Sequence, residues 1–161
     1  MNHGNILPPV EPDFLPPAQI DVKFLNGYAK LPTRGSAAAA GYDLYAAIPE
    51  GIIIPPHSTE KVGTGLSIKL PLGTFGAIFA RSGLATKKGL RPANCVGVCD
   101  SDYRGEYIVA IHNDSDSPYS IEPGERIAQL ILMPYIPMAF NVVNELDTTE
   151  RGEGGFGSTG K

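Results

Sequence analysis

The chain has 161 residues and a formal net charge of -4, a length that suits one domain burying roughly two thirds of its unfolded surface and leaves no room for a second. Its acidic balance excludes a protein that wraps nucleic acid through a broad basic face, so any phosphate chemistry has to be local. There is no long apolar run and no basic N-terminal region followed by an apolar stretch, so neither a membrane span nor a secretory signal is expected, and the expected location is cytoplasmic.

Residues 1–19 carry Pro8, Pro9, Pro12, Pro16 and Pro17 with little periodic pattern and read as an extended arm, free to drape over a neighbouring subunit. From residue 20 to 148 the pattern is that of a β domain. Strands are expected at Ile20–Phe24, Thr64–Leu70, Phe75–Phe79, Tyr107–Ile111, Ile127–Met133 and Phe140–Val143, each bounded by turn residues. With 19 glycines, 15 prolines and no amphipathic stretch of three helical turns, the fold class is all-β, a sandwich or barrel. One short helix is expected near 83–88, with Ser82 as its N-cap and Gly89 just past its end, where a left-handed residue is wanted. Its unpaired N–H groups would then face whatever lies beside Arg81 and Ser82, the geometry of an anion site.

Cys95 and Cys99 fall in a stretch that reads as strand, where four residues span about 13 Å. A disulfide needs Cα atoms within about 7 Å, so they are expected as reduced thiols packed on one sheet face. His3, His57 and His112 stand at no metal-ligand spacing, and no structural zinc is expected.

The end of the chain, 149–161, reads as a flexible glycine-rich lid, with five glycines among the last eleven residues. Such a density makes sense where backbone N–H groups must approach a ligand closely. Arg151, Ser158, Thr159 and Lys161 supply donors for phosphate, and Phe156 a flat apolar face for a base or sugar. Gly155-Phe-Gly-Ser-Thr-Gly160-Lys161 matches most of a P-loop, but the chain ends where the magnesium-binding hydroxyl and the helix should follow, so a P-loop NTPase is rejected.

Four further stretches break the apolar alternation with glycine and charge: Ala40-Gly41-Tyr42-Asp43-Leu44, Ala80-Arg81-Ser82-Gly83, Gly97-Val98-Cys99-Asp100-Ser101-Asp102-Tyr103-Arg104-Gly105-Glu106, and Gly124-Glu125-Arg126-Ile127-Ala128-Gln129. In this order, with the tail as the fifth, they closely resemble the five motifs of the trimeric dUTP pyrophosphatases, from about Leu31 to Lys161. The resemblance implies a jelly-roll-like β fold, a homotrimer with shared active sites, magnesium (Mg2+), and hydrolysis of dUTP to dUMP and pyrophosphate.

It also implies roles. Asp100, at the end of an apolar strand, is the general base that takes a proton from the attacking water. Tyr103 lies under the deoxyribose and leaves no room for a 2′-hydroxyl. Asn94 reads uracil, since an amide offers both a donor and an acceptor, with backbone groups of the same hairpin reading the rest of the base edge. Arg81, Ser82 and the N–H of Gly83 form the phosphate cradle, with Gln129 as a further donor. Arg151, Phe156, Gly157, Ser158 and Thr159 belong to the closing lid. Asp43 acts on the metal indirectly, through water, because magnesium keeps several waters and takes direct ligands from the triphosphate. Asp102, Arg104 and Glu106 are turn and intersubunit salt-bridge groups. Cys99 departs from the family pattern, standing where a bulkier aliphatic residue commonly precedes the catalytic aspartate.

Two other readings compete. A dCTP deaminase would share the fold but normally lacks the Gly-Val-Cys-Asp-Ser-Asp-Tyr pattern, and ammonia release from dCTP distinguishes it. A non-enzymatic jelly-roll module would need neither Asp100 nor a lid.

Overall fold

A computed structural model describes residues 18–155, and in these the chain forms twelve strands and one helix. They are β1 (Asp21–Phe24), β2 (Thr33–Arg34), β3 (Tyr42–Tyr45), β4 (Ile52–Ile54), β5 (Thr59–Gly63), β6 (Leu66–Lys69), β7 (Thr74–Phe79), α1 (Ser82–Lys88), β8 (Leu90–Pro92), β9 (Gly97–Asp100), β10 (Ile108–Asn113), β11 (Tyr119–Ile121) and β12 (Arg126–Pro134). The largest sheet has five strands in the order β2-β3-β12-β7-β9; β5-β10-β8 form a second sheet, and β1-β6 and β11-β4 form two-stranded ribbons. Every pairing among these strands is antiparallel.

Branched aliphatic side chains explain why these segments extend and where they pack. Leu44, Ile54, Val62, Leu66, Ile68, Leu90, Ile111 and Ile121 are essentially sealed from solvent, each such burial contributing roughly 1.5–3 kcal/mol before entropy is counted. They meet between the sheets in one core with Tyr107 and Leu130. The strand β12 has a bulge between Arg126 and Ala128, which buries the consecutive residues Ile127 and Ala128 and re-aims Arg126.

Five of the six expected strands are present, shifted at their ends by one or two residues. The sixth is a correction: Phe140–Val143 forms no strand among the described residues, and Phe140 and Val142 are 87% and 97% exposed. The alternation is there, but no strand edge among the described residues pairs with it. The cysteines are also corrected. Cys95 sits in the turn before β9, exposed and with a positive φ of 63°, while Cys99 lies half-buried on β9, so they share no sheet face. Both thiols are free, as expected.

The helix is where it was expected, but its cap is not. Arg81 is the N-cap residue and makes no side-chain capping bond; Ser82 is the first helical residue, and its carbonyl accepts the Thr86 hydroxyl at 2.7 Å. At the other end Gly89 adopts φ 68°, ψ 24° and returns its N–H to Ala85, the left-handed stop that glycine adopts most easily. Gly89→Ala should therefore destabilise the fold by about 1 kcal/mol, lowering Tm by about 2–4 °C. An unchanged Tm in thermal unfolding would show that this cap is not required.

Candidate active site

The register of the five-stranded sheet places Asp43 on β3, Gln129 on β12 and Phe79 on β7 in one row, since Gln129 pairs with both neighbours. Cross-strand neighbours project on the same face, so Asp43 and Gln129 lie side by side. Just past Phe79, Arg81 donates Nε to Asp43 Oδ1 at 2.8 Å, and Arg126 donates Nη1 to Asp43 Oδ2 at 3.2 Å. Arg81 also donates to the Arg126 carbonyl at 3.3 Å, which brings both guanidinium groups onto one half-buried carboxylate. Gln129 donates Nε2 to the Ala80 carbonyl at 2.9 Å. A Cβ at Gly41 would collide with the Gln129 amide, so glycine is what gives that side chain its place.

This cluster carries one more positive than negative charge. It opens onto Ser82 and Gly83, which are exposed in the first turn of α1 with N–H groups that the helix itself cannot pair. Nothing lies within 4 Å of where a Gly83 side chain would stand. Two fixed guanidinium groups, an amide and free main-chain donors make a site for an oligo-anion. Arg126 was given no role from the sequence. Its only signal was membership of the Gly124–Gln129 stretch, because the contact with Asp43 depends on the bulge.

Asp100 and Tyr103 lie elsewhere in the same chain. Asp100 ends β9 opposite Phe75, at the far end of β7 from Phe79. The four residue steps from Phe75 to Phe79 are about 13 Å of strand, and β9 and β12 flank β7 on opposite sides, so on ideal strand spacing the backbones of Asp100 and Gln129 are about 16 Å apart. Asp100 is exposed, and its carbonyl accepts the Tyr103 N–H at 3.1 Å, closing the tight turn expected there. Arg104 donates to the carbonyls of Ser101 and Tyr103 at 2.7 and 2.8 Å, Ser67 donates to the Arg104 carbonyl at 2.7 Å, and Glu106 accepts the Gly65 N–H at 2.8 Å. Arg104 and Glu106 thus tie the turn to main-chain atoms of their own chain.

Tyr103 is 44% exposed and donates its hydroxyl to the Glu106 carbonyl at 3.1 Å. A side chain at Gly105 would strike the Tyr103 ring, a requirement the sequence reading had not identified. Asn94 is exposed in the turn between β8 and β9, and its side-chain amide makes no hydrogen bond among the described residues. The strand that follows, β9, is the edge of its sheet, so its outer N–H and C=O groups are available to pair with a planar polar edge.

Arg151 is exposed and bonds within its own turn, donating Nε to the Gly154 carbonyl at 2.8 Å; the structure does not bring it to either cluster. Phe156, Gly157, Ser158 and Thr159 lie outside the described residues. No cluster of three or more His, Cys, Asp or Glu that could cage a metal occurs among the described residues. Asp43 accepts one bond on each oxygen, which leaves lone pairs for water-mediated contact with a cation. No helix among the described residues is long and apolar enough to cross a membrane.

The sequence model of the dUTPase family matches residues 27–160. The chain belongs to the dUTPase family. It is 51% identical over 134 residues to the deoxyuridine 5'-triphosphate nucleotidohydrolase of Candida albicans, with 82% of each chain covered. To the protein of the same name from Tolumonas auensis it is 41% identical over 148 residues, covering 89% of this chain and 98% of that one. Among solved structures, the dUTPase of Staphylococcus bacteriophage 80alpha with dUPNHPP matches with a TM-score of 0.81 at 30% identity, over 89% of this chain and 99% of that one. A dUTPase from phage phi11 of S. aureus, in a structure describing the coordination of a structural Mg(II) ion, matches with a TM-score of 0.74 at 23% identity, over 81% of this chain and 100% of that one; it shares the fold. The jelly-roll-like β architecture expected of the family is therefore the architecture of this chain.

The ion pair on Asp43 generates a prediction. In a double-mutant cycle of Asp43→Ala and Arg81→Ala, the two losses should be non-additive by about 0.5–2 kcal/mol, as for a pair that is neither fully exposed nor sealed. Additive losses in chemical denaturation would show that Asp43 does not anchor Arg81.

Proposed function

We propose that this chain hydrolyses dUTP to dUMP and pyrophosphate as a homotrimer whose active sites are each completed by more than one subunit. The shared-site part of this reading is carried by one observation, the placement of the Asp43–Arg81–Gln129 cluster and the Asp100–Tyr103 turn at opposite ends and sides of β7, about 16 Å apart on ideal strand spacing. A nucleotide bound in one cluster cannot engage the other of the same chain at the reacting phosphorus. A second copy can supply it. The exposed apolar side chains of Ile136, Met138, Phe140, Val142 and Leu146 support this arrangement, because a run of that kind calls for a covering surface.

In the proposed mechanism the triphosphate lies across Arg81, Ser82, the N–H of Gly83 and Gln129, which hold it by charge-assisted hydrogen bonds and stabilise the negative charge that builds on the leaving pyrophosphate. Asp100 of a second subunit orients a water and accepts its proton as the water oxygen bonds to the α-phosphorus. The bond from that phosphorus to the bridging oxygen breaks, and the electron pair leaves with pyrophosphate. Asn94 and the open edge of β9 pair with uracil. Tyr103 underlies the deoxyribose and excludes a 2′-hydroxyl. Arg151, Phe156, Gly157, Ser158 and Thr159 close over the nucleotide and exclude water. A magnesium ion carried by the triphosphate would neutralise phosphate charge, with Asp43 reaching its hydration shell. The consequence in a cell is less uracil available for incorporation into DNA and a supply of dUMP for dTTP synthesis.

Pyrophosphate release measured over dUTP, dTTP, dCTP and UTP, with and without magnesium, tests the substrate and the metal together. Turnover is expected with dUTP, supported by magnesium, and the other nucleotides should react at least about 10²-fold more slowly. Ammonia release from dCTP would overturn the assignment. Asp100→Asn should bind dUTP within a few fold of the unaltered chain yet lose at least about 10²-fold in kcat; near-normal turnover would remove Asp100 from the role of base.

A further inference from the structure

Tyr107 is the largest fully buried side chain among the described residues, 1% exposed, and its backbone is held on both sides. Its N–H donates to Leu66 at 2.8 Å, and its carbonyl accepts the Thr64 N–H at 3.3 Å and the Thr64 hydroxyl at 2.6 Å. With its backbone so anchored and its ring sealed in the core, Tyr107 is a rigid platform. Against it leans the half-exposed Tyr103, with ring centroids 6.0 Å apart and planes tilted by 33°, within the range of favourable aromatic pairs.

The polar end of Tyr107 has no role in packing alone. Its hydroxyl is buried with no hydrogen-bond partner of acceptable geometry among the described residues, leaving only the soft Cys99 thiol beside it, whereas phenylalanine would bring no hydroxyl into the core. Beside it lies the Cys99 side chain, the residue before Asp100. Burial pushes the Cys99 thiol up to about 11, against a smaller lowering by the Tyr107 hydroxyl. The sulfur therefore keeps its proton at neutral pH and remains a small, soft neighbour with a weak donor. A bulkier group in place of Cys99 would compete with the tyrosine for space. Tyr107 thus touches the turn at both ends, next to Asp100 through Cys99 and directly at Tyr103.

We infer that Tyr107 is a positioning residue for sugar selection: its buried ring sets the height of Tyr103 beneath the nucleotide, and the small Cys99 side chain is the space that lets it do so. The inference rests on the proposed role of Tyr103 in excluding the 2′-hydroxyl. Removing the platform lets the Tyr103 ring sink, which opens room for a ribose without removing any group that touches the phosphates or the water.

The test is the ratio of kcat/KM for dUTP over UTP in Tyr107→Leu, Tyr107→Phe, Tyr103→Ala and the Tyr103→Ala/Tyr107→Leu pair. Tyr107→Leu should lower the ratio by about tenfold or more, equivalent to about 1.4 kcal/mol of lost discrimination, through a lower KM for UTP rather than a lower kcat for dUTP. Tyr107→Phe keeps the ring and should keep the ratio. In the Tyr103→Ala background, Tyr107→Leu should have no further effect on the ratio. If Tyr107→Leu does not fold, Tyr107→Met, apolar and without the ring, carries the same expectation. A relaxed ratio in Tyr103→Ala with an unchanged ratio in the Tyr107 variants overturns this inference alone. An unchanged ratio in Tyr103→Ala overturns the sugar-exclusion reading itself.

Discussion

Strand β7 has two neighbours, and its register with each decides what this chain can do alone. With β12 it aligns Phe79 with Gln129, and with β9 it aligns Phe75 with Asp100. Hydrogen bonding in the ladders makes these alignments hard to alter, because a one-residue slip would turn every core side chain of the strand outward. The phosphate-side donors and the candidate base are therefore held at opposite ends of one rigid element. This placement is the basis for proposing shared sites and for expecting a single chain in isolation to be inactive.

The two clusters are stabilised in different ways. Around Asp43 the organising force is electrostatic: one half-buried carboxylate holds two guanidinium groups that would otherwise repel each other, and so presents them ready for an anionic ligand. Around Tyr103 it is steric and main-chain. Gly105 gives the ring room, Glu106 accepts its hydroxyl, and Ser67, Gly65 and Thr64 pin the turn to the adjoining segment at β6. In the proposed function these become a preorganised phosphate cradle and a stiff exclusion surface, the two things that discrimination by hydrogen bonding and shape requires.

Much of this was legible in the residues. The branched runs at Thr64–Leu70 and Ile127–Met133 announced the strands that build the core, and Gly89 announced the end of the helix. The stretch around Cys99 read as strand and forms β9, but β2, β3, β4, β5, β8 and β11 were hidden, because strands of two to five residues are too short for an apolar alternation to show, and in β3 Asp43 interrupts it. Phe140–Val143 has the alternation but no partner edge among the described residues, and periodicity alone cannot supply one. Ser82 looked like a cap by residue type, yet the backbone leaves its extended conformation one residue earlier, at Arg81. The motif order gave the family, and with it the set of proposed site residues. Arg126 escaped, since its contact with Asp43 depends on a bulge that no single residue type demands, and Tyr107 escaped because a buried aromatic in a core looks like any other.

The most direct measurement for the shared-site account combines two inactive chains. Asp100→Asn chains keep an intact Arg81 cluster, and Arg81→Ala chains keep an intact Asp100 turn. If each site takes these parts from different subunits, random exchange at equal amounts should leave roughly a quarter of the sites with both parts intact, and dUTP turnover should rise well above that of either parent. Mixed assemblies with no more activity than the parents, at any ratio and after verified exchange, would contradict the account and return both clusters to the same subunit.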